Sequence, residues 1–213
     1  MKRPVIFWDV DTQHDFMDAD GAMYVPNAEL IKPKLQHLTQ YAHEHRIPIV
    51  ASSDDHTLEH AEISSSPDYR ETFPPHCMRG TMGAEKVPQT SLRAPLVIEP
   101  EPIPHEKLVR RLEPHDGDVL IRKHRFDVFS NPNTVALIEA WDPTEIVLYG
   151  VALDFCVRFA IDGLIDVGIP TIHLVLDATK PIVEADAAGL VAGWKKQDVR
   201  IVSTDDVVCG RVV

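Results

Sequence analysis

Apolar runs of strand length recur along the chain and alternate with segments whose apolar positions repeat at helical spacing. Val5-Ile6-Phe7-Trp8 is the first run and Ile47-Pro48-Ile49-Val50-Ala51 the second. Val119-Leu120-Ile121, Ile146-Val147-Leu148-Tyr149, Thr171 to Leu176 and Val199-Arg200-Ile201-Val202 follow. Between them, Leu30 to His45 sets Leu35, Leu38, Tyr41 and Ala42 on one helical face, with Pro33 tolerable only near the first turn. Further helices are predicted near Asn133–Trp141, from about Asp154 to Val167, and around Glu184–Lys196. Strands that are continuously apolar, not alternating, are buried on both faces. The expectation is therefore an α/β fold: a single domain spanning residues 1–213, with a doubly wound, mostly parallel six-stranded sheet and helices on both faces.

The stretch from about 53 to 118 breaks this alternation and holds most of the 17 prolines and many of the 11 histidines. A long irregular insertion in a compact domain is usually functional or disordered. Pro74-Pro75 beside His76 and Cys77 favours an ordered, functional loop for its first half, and Pro95–Pro104 is expected to cover an edge or extend an arm.

Composition narrows the function classes. Lys+Arg total 21 against Asp+Glu 33, a formal charge of -12, which lacks the basic footprint of a nucleic-acid binder. No apolar run is long enough to span a membrane. Lys2 and Arg3 precede a short apolar run, but Asp9 and Asp11 interrupt it, unlike a signal peptide. The 3 cysteines, Cys77, Cys156 and Cys209, read as a reduced, cytoplasmic set and not as a disulfide framework.

Ligands of open parallel sheets bind outside the carboxyl ends of the strands. Asp11 follows the first strand, Lys123 the third, and Gly150-Val151-Ala152-Leu153-Asp154-Phe155-Cys156 the fourth. An acid, an ammonium and a thiol thus share one rim. A carboxylate can take the thiol proton and an ammonium can hold the pair together. Taken singly each has a plainer reading: a small buried cysteine, a solvated lysine, a turn-capping aspartate. Asp54-Asp55-His56 leaves the second strand, and alternate side chains of an extended segment share a face, so Asp54 and His56 can grip one cation. His76, held by two prolines, is a third candidate ligand, and His60 a possible further one. Such a set suits a divalent metal, zinc first, with iron or manganese as alternatives.

These residues together resemble the isochorismatase-like cysteine hydrolases, and among them the nicotinamidases, over nearly the whole chain. The family's Asp-x-Gln-x-Asp-Phe opening stands as Asp11-Thr12-Gln13-His14-Asp15-Phe16. Its lysine after a strand matches Lys123, and its Gly-x-Ala-x-x-x-Cys-Val segment stands as Gly150 to Val157. The nicotinamidase metal pattern stands as Asp54-Asp55-His56 and as Pro74-Pro75-His76-Cys77-Met78-Arg79-Gly80-Thr81-Met82-Gly83. The resemblance implies a Cys156–Asp11–Lys123 triad, a thioester intermediate, and an oxyanion hole from the backbone N–H groups of Ala152 and Cys156. It also implies a cis peptide between Val151 and Ala152. Phe16, Phe73, Val151 and Phe155 are the implied pocket walls, and the metal orients a pyridine nitrogen. A small-molecule amide substrate and a homodimer or larger homo-oligomer are implied as well.

Two departures bear on the pocket. Asp55 stands where nicotinamidases often carry an aromatic or large apolar residue, and it is expected to face solvent because Asp54 and His56 take the inward direction. The segment Lys123 to Phe129 is shorter than in many nicotinamidases. The competing readings are a related cysteine hydrolase of another small amide or ureido compound and, in a different class, a non-catalytic binding protein of this fold.

Overall fold

A computed structural model of the protein describes residues 2–212. Seven strands form one sheet: β1 (Val5–Val10), β2 (Ile49–Asp54), β3 (Leu96–Ile98), β4 (Val119–Lys123), β5 (Glu145–Val151), β6 (Thr171–Lys180) and β7 (Arg200–Val202). Their order is β3-β4-β2-β1-β5-β6-β7 and every pairing is parallel. The helices are α1 (His14–Met17), α2 (Lys32–Glu44), α3 (His105–Leu112), α4 (Thr134–Trp141), α5 (Cys156–Val167), α6 (Glu184–Lys195) and α7 (Thr204–Val208). Among the described residues no helix is long and apolar enough to cross a membrane.

The sheet is buried on both faces because its strands are apolar on both. Ile6, Trp8 and Val10 of β1 pack with Leu108 and Leu112 of α3, Leu137 and Trp141 of α4 and Ile161 and Leu164 of α5. Phe7, from the same strand, faces the opposite way, toward Leu35, Leu38 and Ala42 of α2 and Val207 of α7. This is the doubly wound arrangement expected of continuous Val/Ile/Leu strands.

The strand count is seven, not six. The additional strand, β3, pairs Leu96↔Val119 and Ile98↔Ile121 at one edge, within the stretch expected to be irregular. Most of the other strands also run past their apolar cores. Asp9, Ser52, Ser53 and Lys123 lie inside the ladder, because backbone bonds continue after the side chains turn polar.

Chain order matters for the site. From β1 the chain steps outward to β2, reaches the edge at β3 and β4, and then crosses back to lay β5 on the other side of β1. The strand ends flanking that reversal form the crevice where parallel sheets place ligands.

Candidate active site

Backbone geometry assembles the rim. Asp54 and Lys123 are register partners on β2 and β4, so their side chains leave the sheet together. Asp11 follows β1 in the left-handed region at φ 47°. Gly150 has φ 120°, and a Cβ there would lie 2.1 Å from the Val10 carbonyl oxygen, so only glycine lets the end of β5 close onto β1. The next peptide but one, Val151–Ala152, is cis, as expected. The chain then turns into α5, whose first residue is Cys156.

Lys123 is fully buried and binds both acids, with Nζ 2.8 Å from Asp11 Oδ2 and 2.5 Å from Asp54 Oδ1. The same nitrogen lies 3.8 Å from Cys156 Sγ. Ser52 Oγ donates to Asp11 Oδ1 at 2.6 Å. Apart from its ion pair, Asp11 Oδ2 has no hydrogen-bond partner. Burial pushes the Asp11 carboxyl above its ordinary range against the pull of Lys123, which makes it the more basic. Burial also pushes the Cys156 thiol well up, and Lys123 only partly offsets this, so the resting sulfur keeps its proton. Burial alone would lower Lys123, but Asp11 and Asp54 hold it well above an ordinary lysine.

A second cluster adjoins the first. Asp54, His56, Glu62 and His76 present donor atoms that all lie within 4.8 Å of one another. His56 Nε2 is 3.9 Å from Asp54 and 3.7 Å from Glu62, and His76 Nε2 is 3.8 Å from each of the same two carboxylates. His76 Nδ1 donates to the Pro74 carbonyl at 2.8 Å, which turns Nε2 toward the cluster, and although burial opposes it, Asp54 holds the imidazole above its ordinary range. Both ring nitrogens of His56 are buried without a hydrogen-bond partner. Such groups are rare in native proteins and call for an explanation. Donors about 2.0–2.2 Å from one ion sit roughly 3–4 Å from each other, so these spacings, too long for hydrogen bonds, fit ligands around a shared cation.

The expected site residues fall into place unevenly. Asp54, His56 and His76 converge, whereas His60 does not. Its Nδ1 accepts from the Thr57 amide at 3.2 Å and its ring stacks on His124 with centroids 3.7 Å apart. The fourth member is Glu62, which sequence reasoning did not single out. A carboxylate six places beyond His56 in a loop carries no periodic signal, and only the folded path of that loop brings it inward. Burial, then the Asp54 charge, push Glu62 up to about 7. Burial lowers His56 to about 4. On Asp54 burial is outweighed by Lys123 and the imidazoles, which hold it below the usual carboxylate range.

A narrow cleft opens onto both clusters. Cys156, Ala152, Asp54, Glu62 and His76 line its floor, and Phe16, Phe73, Val151 and Phe155 its walls, together with Met23, Val25, Phe126 and Ile182. Asp55 faces away from this cleft as expected, yet it is buried and not solvated. Arg79 caps it, with Nη2 2.6 Å and Nε 2.9 Å from Oδ2.

The Isochorismatase domain model matches residues 6–206. The nicotinamidase of Saccharomyces cerevisiae is 24% identical over 194 residues, covering 81% of this chain and 86% of that protein. The crystal structure of the pyrazinamidase of Pyrococcus horikoshii in complex with zinc superposes with a TM-score of 0.71 at 25% identity, over 94% of this chain and 99% of that one. N-carbamoylsarcosine amidase from Thermoplasma acidophilum shares the fold, with a TM-score of 0.71 at 19% identity over 96% of this chain and 98% of that one. With the domain match spanning nearly every element of the sheet, the chain belongs to the isochorismatase family of hydrolases.

Proposed function

We propose that this protein is a metal-containing cysteine amidohydrolase that converts nicotinamide to nicotinate and ammonia. One observation carries the reading: the thiol of Cys156, bridged through Lys123 to Asp11, opens into the same apolar cleft as Asp54, Glu62 and His76. The likeness to a nicotinamidase and to a zinc-bound pyrazinamidase supports it.

Asp11 takes the Cys156 thiol proton as the sulfur bonds to the amide carbon. The carbonyl electron pair moves to oxygen, where the backbone N–H groups of Ala152 and Cys156 receive the charge. Collapse breaks the carbon–nitrogen bond, and ammonia leaves with the proton held by Asp11. Water then attacks the thioester and gives a proton to Asp11. The carbon–sulfur bond breaks, the acid departs, and the sulfur regains its proton. Lys123 keeps Asp11 ionised against burial and stabilises the transient thiolate.

Asp54, His56, Glu62 and His76 are the residues that would hold a divalent metal, zinc first, with iron or manganese as alternatives. Bound there, the ion supplies an electrophilic position that orients a pyridine ring nitrogen. Phe16, Phe73 and Phe155 offer aromatic faces and edges to a flat ring.

The test is ammonia release from nicotinamide, benzamide and a small ureido compound, before and after chelation. Nicotinamide should be hydrolysed best, and chelation should weaken its binding far more than it slows acylation by an activated amide. Benzamide turned over as efficiently as nicotinamide would sink the ring-nitrogen role. Preference for the ureido compound would make the protein a related hydrolase of that class.

A further inference from the structure

Asp154 lies two residues before Cys156, is buried, and takes no part in the chemistry above. Its two oxygens bind the loop between β6 and α6. Oδ1 accepts from the Ile182 amide and Oδ2 from the Val183 amide, each at 2.8 Å. The backbone completes the attachment, since the Leu153 amide donates to the Lys180 carbonyl at 2.9 Å. Pro181 between them is buried and has no amide to donate. The nucleophile segment and the 180–183 loop are thus tied at three points. Ile182, 38% exposed, is the part of that loop that reaches the cleft and forms its lip. No side chain caps α6, so Asp154 is what fixes the approach to that helix.

We propose that Asp154 is a positioning residue that straps the Ile182 lip over the cleft and so limits the size of the group that reaches Cys156. The carboxylate suits this task. It accepts two adjacent N–H bonds at once, and charged acceptors form the stronger bonds. Shortening it frees two amides together and releases the lip without touching Asp11, Lys123 or the metal donors. The strap rests on the proposed nucleophile, not on the substrate being nicotinamide.

The experiment compares alkylation of Cys156 by iodoacetamide and by pyrenyl maleimide, read by peptide-resolved mass spectrometry so that Cys77 and Cys209 are counted apart. Asp154→Ala should raise the pyrenyl-to-iodoacetamide rate ratio about tenfold, the worth of roughly one charged hydrogen bond, and Ile182→Ala, which trims the lip itself, should raise it as well. Asp154→Asn, which keeps one acceptor, should fall between. The pH profile of iodoacetamide labelling should stay unchanged in all three, because Asp154 serves geometry and not the thiol. If amide turnover is present, KM should rise with kcat held. An unchanged ratio in Ile182→Ala, which retains the strap and the fold, overturns the lip. A shifted pH profile in Asp154→Asn assigns it an electrostatic role and overturns the strap. Absence of nicotinamide turnover with the expected ratios would refute the substrate while leaving the strap standing.

Discussion

Cys156, Asp11 and Lys123 meet in a buried site, and each charge alone would be costly there. A buried ammonium needs both carboxylates, and a buried carboxylate beside a protonated thiol needs the ammonium. Groups that act as one unit lose activity together and not in proportion. Asp11→Asn and Lys123→Ala should each lower kcat by about a thousandfold or more, and the double variant should be little worse than the worse single. Multiplicative losses in steady-state kinetics would show that Asp11 and Lys123 act independently. Cys156→Ala should be inactive with unchanged circular dichroism. This trio was legible in the sequence because Asp11 and Lys123 lie at the ends of readable strands and Cys156 opens the readable helix that follows another. The fourth metal-site donor was not. His60 stands where some relatives of the resembled family carry a further metal ligand, yet the loop turns its ring onto His124 and brings Glu62 to the cluster instead.

Short elements around the rim hold the candidate metal donors more than the strands do. Gln13, just after Asp11, receives the Asp54 amide at 2.8 Å and donates to the Asp54 carbonyl at 2.7 Å and the Ala84 carbonyl at 2.8 Å. It stitches β1, β2 and the 84 loop into one frame. Asp15 accepts the Cys77 amide at 2.6 Å and so anchors the segment that carries His76. His56 pairs with that segment like a strand, its amide bonding the Cys77 carbonyl at 3.0 Å. Outer partners of metal ligands typically govern affinity by 10–100-fold. Gln13→Ala should therefore weaken divalent-metal affinity by about tenfold, measured by competition with a chromophoric chelator, with a smaller effect on Cys156 labelling. Equal affinity would confine Gln13 to packing. Here the sequence was least readable. β3 is three residues long between Pro95 and a Pro-rich run, and α3, although amphipathic, is embedded in the same run. Proline signals hid elements whose evidence lies in edge pairing to β4 and in packing on α4. The long central strands and α2, α4, α5 and α6 were readable because burial on two faces, or on one stripe, leaves a periodic record.

Across the whole molecule, stability is linked to the protons of the buried cluster, and through them to any metal the cluster would hold. Without metal, the folded protein keeps the Glu62 proton up to about pH 7, while the unfolded chain releases it near 4.5. A folded pKa raised above the unfolded one contributes stability that is complete below the unfolded value and is lost as pH rises through the folded value. His56 works in the opposite sense. Its folded pKa of about 4 lies below 6.5, so its contribution grows between those two values. The two slopes oppose each other in mild acid; above about 6.5 the His56 gain is complete, and the Glu62 loss is joined by one from His76, where burial is outweighed by Asp54. Glutamine imitates protonated Glu62 and does not titrate. With chelator present, Glu62→Gln should therefore gain stability relative to the parent as pH rises from 5 to 8 in urea unfolding, by about 1–3 kcal/mol. With zinc in excess the order reverses. A ligand carboxylate must be ionised, so binding releases its proton and tightens as pH rises, and the parent gains the stability that binding confers on the folded state alone. A difference between parent and variant that stays constant with pH under both conditions would remove Glu62 from the metal site and from any buried titration. A reversal of sign between chelator and zinc ties the loop carboxylate, the imidazoles and the global fold into one equilibrium.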